Sequence, residues 1–154
     1  GKVDTVQAQI ESFRARGGVP DVQTYTVLIR ACKKARRQKL AREALQQMLR
    51  VGLQPNTQTY NELISASRGP KQWKTAVEDF AEMRAMGVAA DVRTYTLVIT
   101  AYSNGRAWRR ARETFDAMQV AGVAPVSATY NALMVALRRA GRVQDVEGLL
   151  REMQ

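Results

Sequence analysis

The sequence predicts an all-α fold, an α-solenoid of stacked antiparallel helix hairpins forming an α-α superhelix, and three observations support this. A Thr-Tyr pair recurs every 35 residues, with its tyrosine at Tyr25, Tyr60, Tyr95 and Tyr130. A glycine recurs with the same step, at Gly17, Gly52, Gly87 and Gly122. Between these positions, apolar residues recur with the period of an amphipathic helix. A constant period of roughly 20 to 50 residues is typical of repeat architectures.

The period defines a single helical-repeat domain that spans residues 1–154. It contains a partial repeat at 1–21, repeats at 22–56, 57–91 and 92–126, and a partial repeat at 127–154. Because the first and last units are incomplete, we expect the chain to be a fragment of a longer array.

Each unit is predicted to form two helices. In the first, apolar residues fall at i, i+3, i+4 and i+7, at Tyr25, Leu28, Ile29 and Cys32. The second repeats this pattern at Ala41, Ala44, Leu45 and Met48. Gly52 then ends the second helix, Pro55 prevents its continuation, and Asn56 is placed to cap the next helix. Since one hairpin cannot bury both of its apolar faces, neighbouring hairpins must stack.

The composition argues against several classes of function. The chain has no histidine and one cysteine, so the commonest general base and an internal disulfide framework are absent. It contains no metal-ligand spacing, phosphate loop or nucleophile–base pair, and no apolar run long enough to cross a bilayer. We therefore predict a non-catalytic protein without metal, cofactor, small-molecule substrate or membrane association. The 24 Lys and Arg against 14 Asp and Glu favour a polyanionic partner.

Three segments resemble the pentatricopeptide repeat family, in its 35-residue P-type form: Thr59–Ile64, Met118–Val126 and the basic-Ala-Gly turn Arg138–Arg142. The 34-residue tetratricopeptide pattern fits poorly, because Trp73 and Trp108 open the second helix and no Leu-Gly pair follows an early tryptophan. The resemblance covers essentially the whole chain.

The resemblance implies a sequence-selective module that binds single-stranded RNA, one base per repeat. It further implies a soluble protein of the chloroplast or mitochondrion that acts on transcript stability, processing or translation. The alternative is a protein-interaction scaffold, such as a structural subunit of a ribonucleoprotein or polymerase assembly.

By resemblance, each base is read by the residue after Thr-Tyr together with the last residue of the unit. The first set is Thr26, Asn61, Thr96 and Asn131, and the second is Asn56, Asp91 and Val126. The family's recognition rules then imply the order 5′-A-U-purine-pyrimidine-3′, parallel to the protein chain. Asn is a poor helix former, so its recurrence at one register independently suggests a hydrogen-bonding role. Helix capping is an equally good and compatible explanation for Asn56 and Asp91.

The resemblance also indicates which residues contact the stacked bases and the RNA backbone. The positions that sandwich each base hold Gln23, Gln58, Arg93 and Ala128, where the family commonly has an aliphatic residue. Lys34 and Arg139 occupy the family's basic position near the end of the first helix and are candidates for phosphate contacts. On the second helices, we interpret Glu78 and Asp79 as solvated charges without a functional role.

Overall fold

A computed structural model of the chain describes residues 6–67 and 69–153, which contain nine α-helices and no strand. They are α1 (Val6–Ala15), α2 (Val22–Lys34), α3 (Gln38–Arg50), α4 (Thr57–Ala66), α5 (Trp73–Ala85), α6 (Val92–Asn104), α7 (Trp108–Val120), α8 (Ser127–Arg139) and α9 (Val143–Met153). The predicted all-α solenoid is confirmed. Residues 1–5 and 154, which belong to the predicted partial repeats, lie outside the described residues. Within those residues, no helix combines the length and apolar character that crossing a membrane requires.

Side-chain caps define where most first helices begin. Asp21, Asn56 and Asp91 have extended backbones, and their side chains accept hydrogen bonds from the backbone N–H three residues on. The N–H to oxygen distances are 2.8, 3.0 and 2.8 Å. These bonds satisfy donors that the first turn leaves unpaired. Helix α8 begins without such a cap, because it follows Val126.

Helix α4 is three residues shorter than the other first helices, with 10 residues against 13. It ends at Ala66, shortly before Gly69 and Pro70. Proline has no N–H to donate and disfavours helical backbone at the residue before it. The Gly-Pro pair therefore explains the early end of α4.

The core consists of two clusters of buried residues, one contributed by α1 to α6 and the other by α6 to α9, and Tyr102 packs against both. Tyr25 and Tyr60 are fully buried, and Ala41, Ala44, Ala76 and Ala111 have no exposed surface, which allows the helices to approach closely. Trp73 packs across hairpins, 6.1 Å from the ring of Tyr102. A Cβ at Gly105 would lie 2.4 Å from the Trp73 ring, so the glycine makes room for the indole.

Asp79 corrects the expectation of solvated charge on the second helices. It is fully buried in α5, 3.3 Å from a guanidinium nitrogen of Arg42 on α3, whereas the neighbouring Glu78 side chain is 64% exposed. Burial, reinforced by Glu82 and only partly offset by Arg42, raises the pKa of Asp79 to about 7. Arg42 and Asp79 therefore join the second helices of adjacent hairpins.

Two glycines should respond oppositely to alanine. Gly87 follows α5 with φ of +71°, so Gly87→Ala should destabilise the protein by about 1 kcal/mol. Gly148 lies inside α9 with open space around it, so Gly148→Ala should stabilise by about 0.5–1 kcal/mol. Urea unfolding followed by circular dichroism measures both. If Gly148→Ala also destabilised the protein, the open space around Gly148 would be contradicted.

The pKa of Asp79 gives stability a distinct pH dependence. The folded protein keeps this carboxyl neutral up to a pH of about 7, whereas the unfolded chain ionises it near 3.8. Its contribution to stability is therefore present at low pH and is lost between these values as the pH rises. Asp79→Asn should gain roughly 2 kcal/mol relative to the original protein between pH 5 and pH 8, measured by urea unfolding. Glu78→Gln is the exposed control and should show no such gain.

Candidate nucleic-acid interface

The first helices α2, α4, α6 and α8 form one layer, which we call the first-helix layer. Each packs directly on the next, whereas contacts between second helices of adjacent hairpins are sparse in the described residues. A stack curves toward the side on which its neighbours are closer. The first-helix layer is therefore the inner face, and we call the line of contact between two consecutive first helices a seam.

The residues that follow Thr-Tyr lie in these seams. Thr26 has no exposed surface and Asn61 is 3% exposed, whereas Thr96 is half-buried and Asn131 is exposed. The Thr26 hydroxyl lies 2.8 Å from the Thr59 hydroxyl of the next hairpin. Thr26, Asn61 and Thr96 are thus bonded across the seams, whereas Asn131 is exposed.

The last residues of the units, Asn56 and Asp91, serve as helix caps, while Val126 has no side-chain group to offer. Capping leaves part of the Asp91 carboxylate available. Its Oδ1 accepts from the Thr94 backbone N–H at 2.8 Å, whereas among the described residues Oδ2 accepts from the Asn61 amide at 3.3 Å. Capping by Asp91 therefore does not prevent a contact with a ligand.

Asn61 and Asp91 form a pair, which the predicted two-residue base-reading site requires. The Asn61 Nδ2 group donates to Asp91 Oδ1 at 3.1 Å. Burial opposes ionisation of Asp91, but bonds from the Thr94 backbone and from the Asn61 and Thr94 side chains outweigh it and lower its pKa. The pair therefore presents an amide donor beside an ionised acceptor.

The four predicted base-sandwich residues lie on the surface, but the position of one of them is fixed by an ion pair. Gln23, Gln58 and Ala128 are exposed. The Arg93 side chain is 56% exposed, and its Nη2 lies 3.4 Å from Glu62 Oε1. Arg93 is therefore the sandwich residue with a defined position, and most of its planar guanidinium surface remains accessible.

Glu62 is a residue of this face that the sequence analysis missed. It is nearly buried in α4 and contacts cations from two neighbouring first helices: Arg30 at 3.3 Å, Lys33 and Arg93. Burial favours the neutral acid, but the three cations outweigh this effect and lower the pKa of Glu62. The signal was available in the repeat, because the same register otherwise holds Val27, Leu97 and Ala132.

The two predicted phosphate-contact residues are both exposed. Lys34 lies at the end of α2. Arg139 donates from Nη1 to the Ser103 carbonyl at 3.1 Å and to the Asn104 side chain at 3.4 Å. Arg139 therefore also binds the carbonyl end of α6, where a cation is favourable.

Two family models match the sequence. The pentatricopeptide repeat domain matches residues 10–69 and 80–138, and the PPR repeat matches residues 128–154. No curated protein sequence gives a match.

Solved structures resemble the whole stack. The pentatricopeptide repeat protein PPR10 in complex with an 18-nt psaJ RNA element gives a TM-score of 0.77 at 33% identity, covering 89% of this chain and 20% of PPR10. PPR10 from maize gives 0.73 at 29%, covering 93% and 20%. The PPR domain of Arabidopsis thaliana protein-only RNase P 1, in complex with tRNA, gives 0.75 at 18%, covering 94% and 76%. The last likeness concerns the fold alone, and this chain spans about a fifth of the PPR10 chain.

Replacing Glu62 should destabilise the protein, because the three cations around it repel one another. Glu62→Gln leaves Arg30, Lys33 and Arg93 together without a counter-charge, so we expect a loss of roughly 1–3 kcal/mol in unfolding free energy. Added salt should recover part of this loss by screening the cations. Urea unfolding at low and high NaCl measures both effects. Glu113→Gln removes an exposed pair with Arg110 and should change stability little; an equal loss there would refute the interpretation.

Proposed function

Because this chain belongs to the pentatricopeptide repeat family, as its sequence predicts, we propose that its first-helix layer binds single-stranded RNA with one base per hairpin. The observation that carries the proposal is the hydrogen-bonded pair of Asn61 and Asp91, which lies in the seam on the same layer as the Arg30, Lys33 and Arg93 cations. A polar pair and a basic surface on one face fit the two parts of a nucleotide, its base edge and its phosphate.

The chemistry of the Asn61–Asp91 pair favours uracil. An amide N–H seeks an acceptor, and a carboxylate oxygen seeks a donor. Uracil offers both side by side, in its O4 and N3–H, whereas cytosine presents the reverse order. Recognition along the edge used in base pairing is the usual mode for single-stranded RNA. This agrees with the base that the family's recognition rules assign to the pair.

The other units complete the proposed site. Thr26 with Asn56 is assigned adenine, Thr96 with Val126 a purine, and Asn131 a pyrimidine, which gives 5′-A-U-purine-pyrimidine-3′. Since Thr26 has no exposed surface and Asn61 is only 3% exposed, contact of either residue with a base requires the seam beside it to widen. Asn61 with Asp91 is the unit expected to discriminate best, because it pairs an amide donor with an ionised carboxylate.

Backbone binding is assigned to the basic groups of the same layer. The net charge of +10 attracts a polyanion, and Arg30, Arg93, Lys34 and Arg139 place cations along the first helices. Arg93 can also stack on a base through its guanidinium plane. These contacts supply affinity, and the seam pairs supply sequence preference.

In the cell, we propose a non-catalytic role on chloroplast or mitochondrial transcripts. A protein that covers a single-stranded segment blocks nucleases and prevents competing RNA structure, which affects stability, processing or translation. A protein-interaction scaffold is the second candidate. The exposed glutamines Gln23 and Gln58 favour it, because glutamine is a poor platform for a base.

Base preference at one unit tests the proposal. Asn61→Thr with Asp91 kept should change the preferred base from uracil to guanine, because the shorter side chain leaves room for a purine and guanine O6 and N1–H preserve the acceptor–donor order. Fluorescence anisotropy with four ten-nucleotide RNAs that differ at that base measures the ranking. Affinity should fall roughly tenfold or more between 50 and 200 mM salt.

Gln119→Thr, on the exposed surface of α7, is the control and should keep the uracil preference. Absence of binding at low salt would refute RNA binding and favour the scaffold. Binding with an unchanged ranking in Asn61→Thr would refute base reading alone.

A further inference from the structure

The threonine of the Thr-Tyr pair joins two hairpins across each seam. Thr59, Thr94 and Thr129 have no exposed surface. Their hydroxyls lie 2.8, 2.7 and 2.7 Å from the side chains of Thr26, Asn61 and Thr96 in the preceding hairpin. The contact recurs at every seam between described first helices, and each partner is a candidate base reader.

The same hydroxyls also contact the second candidate base reader. Thr94 Oγ1 lies 2.8 Å from Asp91 Oδ1 and accepts from the Asp91 backbone N–H at 3.1 Å. Thr59 stands in the same relation to Asn56, with distances of 3.0 and 3.4 Å. Each threonine is therefore the bridge between the two side chains assigned to one base.

This bridge determines how the Asn61 amide is oriented. Its Nδ2 group faces the ionised Asp91 carboxylate, and its Oδ1 lies 2.7 Å from the Thr94 hydroxyl. The single hydrogen of that hydroxyl is shared between Asn61 Oδ1 and Asp91 Oδ1, which lies at 2.8 Å. A reversed amide would place Oδ1 against the carboxylate, and two acceptors cannot bond. In the observed orientation, the second Nδ2 hydrogen and Asp91 Oδ2 are the groups left for a ligand.

We propose that Thr94, and by the same geometry Thr59 and Thr129, are positioning residues that set base preference by orienting the base reader of the preceding hairpin. The proposal rests on the proposed function. With Oδ1 held by Thr94, Asn61 can only donate to a base, which favours uracil over cytosine. Without the Thr94 hydroxyl, Oδ1 has no donor and the amide is held only by its contact with Asp91. The side chain can then swing away from Asp91 and present Oδ1 to the cytosine amino group.

Thr94→Val tests this step, because valine keeps the shape of threonine and removes its hydroxyl. The affinity ratio of uracil to cytosine at that unit, measured by anisotropy, should fall roughly fivefold, as expected for one lost hydrogen bond. The salt dependence should not change, because no phosphate contact is altered. Thr94→Ser should restore the ratio.

Thr24→Val is the matched control. Thr24 makes the same capping bonds to Asp21, but it borders an open cleft of about 810 Å³ between α1 and α2 instead of a preceding first helix. It should leave the ratio unchanged. A drop with Thr24→Val as large as with Thr94→Val would overturn the proposal and leave Thr94 a cap only. If Thr94→Val fails to fold, Thr129→Val is the alternative test, and the base preference at the unit of Thr96 is measured instead. Val126 supplies no side-chain cap in that unit, so removing the Thr129 hydroxyl disturbs no such cap.

A measurement without RNA separates this proposal from the proposed function. Side-chain amide relaxation by NMR should show Asn61 ordered in the original protein and in Thr24→Val, and mobile in Thr94→Val. An Asn61 amide that stays ordered in Thr94→Val would overturn the positioning role even if RNA binds. Absence of RNA binding with the expected NMR change would refute the proposed function while the orienting contact stands.

Discussion

The structure depends on the seam between consecutive first helices, because a single hairpin cannot bury its apolar side alone. Tyr25 and Tyr60 are fully buried in the stack. Closing the seam also buries polar side chains, and each must find a partner in the dry contact. The bonds of Thr26 with Thr59 and of Asn61 with Thr94 meet this requirement. The groups that hold neighbouring hairpins in register are thus the candidate base readers themselves.

The buried acidic residues of the two helix layers have different surroundings. On the second helices, the pKa of Asp79 is raised, because the effect of burial outweighs the attraction of the Arg42 cation. On the first helices, Glu62 meets three cations, and the lowered pKa of Glu62 follows. At the outer contact, Arg42 also lies 3.7 and 3.9 Å from Glu78 and Glu82, so acidic groups outnumber the cation. At the inner contact, three cations surround Glu62, so positive charge is in excess. This asymmetry makes the first-helix layer the one suited to an anion.

The repeat predicted the fold and the register of the site because both depend on local pattern. The capping role considered for Asn56 and Asp91 is confirmed, since a cap needs only the three following residues. The burial of Asp79 and Glu62 was not predicted, because it depends on Arg42, Arg30 and Lys33 in other hairpins. Nor does a helical register show whether a seam closes over Thr26 or leaves Asn131 exposed. The base-reading assignments stay predictions.

Capping and the proposed base reading are compatible at Asp91 because a carboxylate has two oxygens. Asp91 gives Oδ1 to the helix end and keeps Oδ2 toward the seam, so one side chain suits both duties. Val126 has no polar side-chain atom, so α8 begins with backbone bonds of the Thr129 and Tyr130 N–H groups to the Val126 carbonyl, at 2.8 and 3.2 Å. A substitution that removes the cap at Asp91 therefore also removes the acceptor that the proposed function assigns to a base. If that proposal holds, a unit that loses specificity at this position also loses the side-chain cap of the next helix.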